Sequence, residues 1–317
     1  MKRFCYLFAL ILGTSVCFAE DPKSGLIIAP LVNYEYLHLA GQQFHAPGEG
    51  VSFIYGDEQK PFFAQVLAKQ YIMGQDNRDG YEGPYHSDSL TLVQKIKRHQ
   101  FMALLNARSN EPVYGGLRTF TAGIGYDYEL LRNDHHSLVL GGVLTVTDTG
   151  ITFVDGKTWP VMPLPLITYE LRSQLLTLKA SYMLKPQLDF TVLPESRIRL
   201  TSSLSMEKYR SIADLLFDCA LWYRFFDKNS KQGDCAGFGA GIKNTGLYFN
   251  FGEKDKSYEL QYYSVYGTLD FSILQISGGY CFRGREILDS SGGDSIGNDR
   301  SAGEGYFASI RLVYSFH

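Results

Sequence analysis

The last residues of the chain, "GEGYFASIRLVYSFH" (303–317), decide the fold. One set of alternate residues is almost entirely apolar or aromatic: Tyr306, Ala308, Ile310, Leu312, Tyr314 and Phe316. The intervening set is mixed: Phe307, Ser309, Arg311, Val313, Ser315 and His317. Successive side chains of a β-strand point to opposite faces. This period of two therefore predicts a strand with one apolar face and one face that accepts polar groups.

The same alternation recurs along most of the chain, for example in 62–72, 120–130 and 198–206. Polar, turn-rich stretches separate these segments: 74–88 and 289–299 are long, whereas 130–137, 193–196 and 227–234 are shorter. The pattern predicts an all-β, antiparallel transmembrane β-barrel of about 12–14 strands. Residues 88–110 fit either two short strands or an amphipathic helix, and the sequence leaves both open.

The first residues have the layout of a secretory signal peptide. Lys2 and Arg3 precede an apolar run, and small side chains at Cys17 and Ala19 provide a cleavage site. We expect residues 1–19 to be removed and residues 20–317 to form one exported domain. The alternative is a buried first helix.

Composition restricts the class of protein. The chain has 22 Tyr, 21 Phe and 32 Gly but only 2 Trp, and its net charge is −3, which gives no indication of a nucleic-acid partner. No run of 18 apolar residues follows the signal segment, so a helical membrane protein is excluded. A β-barrel membrane protein is not excluded, because its strands are apolar only at alternate positions.

Aromatic residues near strand ends favour a membrane barrel over a soluble sandwich. Tyr34, Tyr36, Tyr126, Tyr128 and Tyr314 combine an apolar ring with a hydroxyl that suits the membrane–water boundary. The final strand resembles the C-terminal signal that the barrel-assembly machinery of bacteria reads. It departs from that signal because Phe316 is penultimate and His317 is last. The sequence therefore predicts an outer-membrane location, with membrane lipids and this machinery as partners. Its membrane anchors are predicted to be Trp159 and, in the closing strand, Tyr306, Ile310, Leu312, Tyr314 and Phe316.

Charged residues on the polar sides of predicted strands are candidates for the barrel lumen. They are Asp127, Glu129, Lys179, Arg197, Arg199 and Arg224. Inward cations can influence the passage of anions. The alternative is that they are simply solvated or paired with the inward acids.

Reactive constellations are scarce in the sequence. His135–His136 lie in a polar turn without a Cys or a spaced carboxylate, and no G-x-S-x-G motif occurs. The sequence therefore predicts no catalytic residue, no metal site, no cofactor and no enzymatic activity. A barrel enzyme acting on lipid or peptide stays a minor alternative, because such a site is assembled from distant residues.

The stretch "TWPVMPLPLITYEL" (158–171) contains three prolines at close spacing. Because proline lacks an N–H group, we expect a stiff extended segment that leads to a strand beginning near Leu164. The string "PLPLITYE" (163–170) resembles the corresponding segment of the MipA/OmpV family of outer-membrane barrels, over roughly residues 158–182. That resemblance implies a barrel in the outer membrane; members are described as scaffolds or porin-like proteins, some linked to cell-wall synthesis complexes.

Together these features predict a porin-like channel for the passive passage of small solutes. The competing hypothesis is a non-conducting membrane scaffold or surface interaction protein. The two hypotheses differ in whether the lumen is open. The sequence determines neither the openness of the lumen, nor the solute, nor the oligomeric state.

Overall fold

The computed structural model describes residues 26–39, 42–55, 61–73, 84–110, 120–147, 161–182, 186–206, 215–225, 236–250, 256–271, 273–290 and 298–314. The predicted signal peptide, Trp159 and Phe316 lie outside these ranges.

The described residues form sixteen β-strands. In chain order they are β1 (Ile27–Leu39), β2 (Gln42–Tyr55), β3 (Phe62–Met73), β4 (Tyr85–Ile96), β5 (His99–Ser109), β6 (Phe120–Arg132), β7 (His136–Thr147), β8 (Val161–Arg172), β9 (Leu176–Tyr182), β10 (Pro186–Val192), β11 (Ile198–Met206), β12 (Leu215–Arg224), β13 (Ala236–Asn250), β14 (Lys256–Phe271), β15 (Leu274–Ser290) and β16 (Asn298–Val313).

Each strand pairs antiparallel with its neighbours in the chain, and β16 pairs with β1 to close the sheet. The closing register places Tyr34 beside Ile310 and Leu37 beside Phe307. Closure satisfies the backbone groups of the first and last strands, which would otherwise form open edges. The predicted all-β antiparallel barrel is thus confirmed.

The predicted number of strands, 12–14, is wrong, because the barrel has sixteen. Two strands, β9 and β10, have only 7 residues each, too few for a clear alternation signal. The stretch 88–110, for which the sequence left a helix open, lies in β4 and β5, which pair along their whole length around the turn Lys97–Arg98.

The expected proline segment is also corrected. Strand β8 begins at Val161, not near Leu164, and Pro163 and Pro165 pair in register with Leu144 and Gly142 of β7. Strand β9 pairs with β8 only from Ile167 onward. Among the described residues, none of β9 pairs with the part of β8 that contains the prolines, and residues without an N–H group can lie at such an edge without loss of a ladder bond.

The wall has two chemically different faces. Ile310 and Leu312 are exposed on the outer face with other aliphatic side chains of the wall, such as Val265 and Leu221. Their chain neighbours alternate to the inner face, where Leu37, Phe307 and Tyr262 belong to a buried cluster. An apolar exterior around a partly polar interior is typical of a lipid-exposed barrel.

The two ends of the barrel differ in their connections. Leu26 and Tyr314 lie at one end, here called the terminal end, with tight turns such as 97–98, 133–135 and 173–175. The opposite, distal end receives the connections 74–84 and 291–297, because each follows an odd-numbered strand. Within the described part of the chain, no helix is long and apolar enough to cross a membrane.

Candidate functional site

The interior of the barrel is the candidate functional site, and a hairpin folds into it. Ring contacts join Phe249 of β13 and Tyr258 of β14 to Tyr85 of β4: the stacked rings of Tyr85 and Phe249 have centroids 4.7 Å apart, and those of Tyr85 and Tyr258 5.3 Å. Strands β4 and β13 are far apart around the closed sheet. The end of the β13–β14 hairpin therefore crosses the lumen to the opposite wall.

Further contacts fix this hairpin end in place. Asn250 pairs with Ser109 of β5 as one parallel bridge outside the barrel ladder. The Tyr71 ring packs edge-on against Phe249, with centroids 5.1 Å apart. Tyr85 and Tyr258 are completely buried. We call Tyr71, Tyr85, Phe249 and Tyr258 the aromatic clamp.

A polar group lies farther along β14 from the clamp, toward the terminal end of the hairpin side of the lumen. The Tyr266 hydroxyl donates a hydrogen bond to Asp218 Oδ1 (2.5 Å). The ammonium of Lys243 lies 4.9 Å from the centroid of the Tyr266 ring and 4.7 Å from that of Phe307. Cation–π contacts of this kind allow a lysine to be accommodated among aromatic rings. On the facing wall, Lys69 Nζ lies 2.5 Å from Glu35 Oε2.

The other sector of the inner wall, from β4 to β12, carries charged and amide groups toward the terminal end, as well as buried apolar side chains such as Leu104 and Val143. Lys95 Nζ lies 3.0 Å from Glu129 Oε2, and Gln100 Nε2 donates to Asp127 Oδ2 (2.9 Å). Arg132 Nε lies 3.5 Å from the second oxygen of Glu129. We call this sector the polar wall. Asp127 and Glu129 are buried there, so these partners compensate for the loss of water around their carboxylates.

The polar wall continues through β8, β9 and β10 toward the terminal end. Arg172 donates to both oxygens of Glu170, each at 2.8 Å, in a bidentate pair. The exposed Lys179 is opposite Glu170 on one side and Asp189 on the other. Cations and anions therefore alternate along this part of the wall.

The arginines predicted from the sequence lie farther round the wall. Arg199 is opposite Trp222, with its guanidinium carbon 5.9 Å from the ring. Arg224 is buried and donates from Nη2 to the Pro194 carbonyl (3.0 Å), which ties it to the β10–β11 turn. Arg197, in the same turn region, is exposed. The three thus lie near the terminal end of β11 and β12.

Sequence reasoning missed several groups of the interior. Lys95 and Gln100 lie on either side of the turn in 88–110. Because the sequence left a helix open for this segment, it did not predict which face of the wall their side chains occupy. The aromatic clamp was missed because its members are distant in sequence. Glu170 could have been placed on the inner face from the sequence, because it is two residues from Thr168 and alternate residues of a strand share a face. Thr168 pairs with Val139 of β7.

The paired histidines lie where the β6–β7 turn ends and His136 begins β7. Asn133 Oδ1 accepts hydrogen bonds from the backbone N–H groups of His135 and His136, at 2.9 and 2.6 Å. His136 Nδ1 is hydrogen-bonded to the Tyr169 hydroxyl (2.9 Å). Among the described residues, no three His, Cys, Asp or Glu side chains are grouped so that they could hold a metal ion.

Known proteins offer only a distant likeness. No family model matches the sequence and no curated protein matches it, so the resemblance to the MipA/OmpV family gains no support. Among solved structures, a triple mutant of the Rh. blastica porin is 10% identical with a TM-score of 0.47, covering 92% of this chain and 100% of that one. Acinetobacter baumannii OccAB3 is 8% identical with a TM-score of 0.40, covering 93% and 100%. Pseudomonas aeruginosa OccK8 (OprE) is 11% identical with a TM-score of 0.37, covering 92% and 98%.

Proposed function

We propose that this chain is an outer-membrane barrel that conducts small polar solutes passively along its polar wall. The observation that carries the proposal is the difference between the two faces of the wall. Aliphatic and aromatic side chains are exposed on the outside, whereas β4–β12 present charged and amide groups to the inside. A wall packed against a second apolar sheet would not carry Lys95, Glu129, Glu170 and Lys179 on its inner face.

The aromatic clamp restricts the size of the proposed passage. It joins the β13–β14 hairpin to β3 and β4 and so fills one sector of the lumen with apolar side chains. The sector along the polar wall is the space that is left for water and solutes. A narrow passage with mixed charge suits small polar or ionic solutes, and we propose that Lys179, Arg197 and Arg199 interact with their anionic groups.

The orientation follows from the connections. Tight turns at the terminal end are typical of the periplasmic side of such barrels, and longer connections of the outer side. The predicted export by a signal peptide agrees with this location. No enzymatic step is part of the proposal. Membership of the MipA/OmpV family is a separate proposal that rests on the "PLPLITYE" string alone.

A non-conducting scaffold is the second candidate, and the same clamp favours it. If the hairpin blocks the whole lumen, the barrel would present its distal end as a binding surface and pass no ions. Conductance of the refolded protein in planar bilayers decides between the two, because only an open passage gives discrete current steps.

A further inference from the structure

An apolar groove lies on the outer surface of the wall across β5 to β8. It has a volume of about 600 Å³ and is bordered by Phe101, Ile124, Tyr126, Gly142, Leu144 and Pro163. Its bordering side chains project outward: Ile124 is 65% exposed, whereas Val143, on the inner face, is buried.

The groove exists because Gly142 leaves open space on the outer face. A Cβ atom at Gly142 would meet no heavy atom nearer than the Leu164 carbonyl oxygen, at 3.7 Å. On the inner face the opposite holds, because a Cβ at Gly125 would lie 2.8 Å from Met102 Cγ. The wall is therefore filled inside and hollow outside at this point.

Polar and basic groups lie below the groove at the terminal end. His99 Nδ1 is hydrogen-bonded to the Tyr126 hydroxyl (2.7 Å), which holds the Tyr126 ring at the groove border. The turn Lys97–Arg98 is exposed and lies about 10 Å from Phe101 along β5. An apolar hollow that ends near two exposed cations is complementary to an acyl chain joined to a phosphate.

We propose that this groove retains one glycerophospholipid, with an acyl chain against Gly142 and its phosphate near Lys97 and Arg98. The inference rests on the membrane location in the proposed function but not on an open channel. Because the terminal end is assigned to the periplasmic side, the lipid belongs to the inner leaflet of the outer membrane.

Native mass spectrometry of the refolded full chain in mild detergent, titrated with dioleoyl phosphatidylglycerol, tests the proposal. The wild type is expected to retain one lipid per chain. Gly142→Leu should raise the apparent dissociation constant for the lipid about tenfold, the effect of displacing roughly two methylene groups from apolar contact. Gly278→Leu is the matched control: it adds the same side chain to the outer face of β15, where a Cβ would meet nothing nearer than the Phe307 carbonyl oxygen, at 3.5 Å.

A second variant tests the headgroup independently of the groove. Replacing Lys97 and Arg98 with serine should weaken retention of phosphatidylglycerol while leaving that of uncharged dioleoylglycerol unchanged. Equal retention by Gly142→Leu and wild type, or no retained lipid in the wild type, would overturn the proposal. A protein that retains lipid but conducts no ions would contradict the proposed channel and support the lipid site. A protein that conducts ions but retains no lipid would contradict the lipid site and support the channel.

Discussion

Ile310 and Ser309 are neighbours in β16 that lie on opposite faces of the wall. Ile310 is exposed on the outer face between Tyr34 and Ile276, and Ser309 lies on the inner face between Glu35 and Ser277. Ile310→Arg should destabilise the barrel by about 2 kcal/mol, because it directs a guanidinium toward hydrocarbon. Ser309→Arg should be tolerated, since it gains Glu35 as a neighbour. Urea unfolding of the protein in lipid vesicles, followed by heat-modifiable migration on gels, measures both; equal effects would contradict the assignment of faces.

Leu193, in the β10–β11 turn, has a positive φ of 54°, a conformation that disfavours residues with a Cβ. Its backbone is well held, because its N–H donates to the Leu175 carbonyl (2.8 Å) and its own carbonyl accepts from Ser196 N–H (3.0 Å). Leu193→Gly should therefore raise the free energy of unfolding by about 1 kcal/mol. Leu175→Gly is the control in the neighbouring turn, where φ is not positive, and it should lower stability. A loss of stability in both variants would refute strain at Leu193.

The β13–β14 hairpin and its aromatic clamp occupy one sector of the lumen, and we expect them to limit how much of it is open. Phe249→Ala removes the ring that contacts both Tyr71 and Tyr85. A buried phenylalanine truncated to alanine loses about 3–5 kcal/mol of packing. We expect this loss to release the hairpin end while the barrel ladder stays intact, so that single-channel conductance rises.

Phe282→Ala is the matched control for this change. Phe282 lies in β15 and stacks on Tyr263, which is exposed on the outer face, with ring centroids 5.9 Å apart. Its removal should leave conductance unchanged. Equal conductance of the wild type and Phe249→Ala, with both proteins folded, would show that the clamp does not restrict the passage.

The sequence predicts most of the wall but not what fills it. Alternation identifies β6, β11 and the second half of β16 because each has one largely apolar face. It fails for β9 and β10, which are short, and for β8, because prolines normally argue against a strand. The clamp has no local signal, since Tyr85 and Phe249 meet only after the sheet has closed.

The distribution of charge on the inner wall of the barrel should set the preference for cations or anions. Lys179 and Arg197 are exposed, and the register places Lys179 on the inner wall between Glu170 and Asp189. Replacing both cations with glutamate should shift the reversal potential in a salt gradient toward cation selectivity. Arg98→Glu is the control: it also replaces a cation with glutamate, at an exposed turn of the terminal end, and it should shift the reversal potential much less. An unchanged reversal potential in the double variant would exclude Lys179 and Arg197 from the passage.

Passage of solutes along the polar wall requires an open path through the folded barrel. Single-channel recording of the refolded full chain in planar lipid bilayers tests it most directly, with folding verified by heat-modifiable migration. We predict discrete, small conductance steps that become larger in Phe249→Ala. A folded protein that inserts but gives no steps, either as wild type or as Phe249→Ala, would contradict the channel.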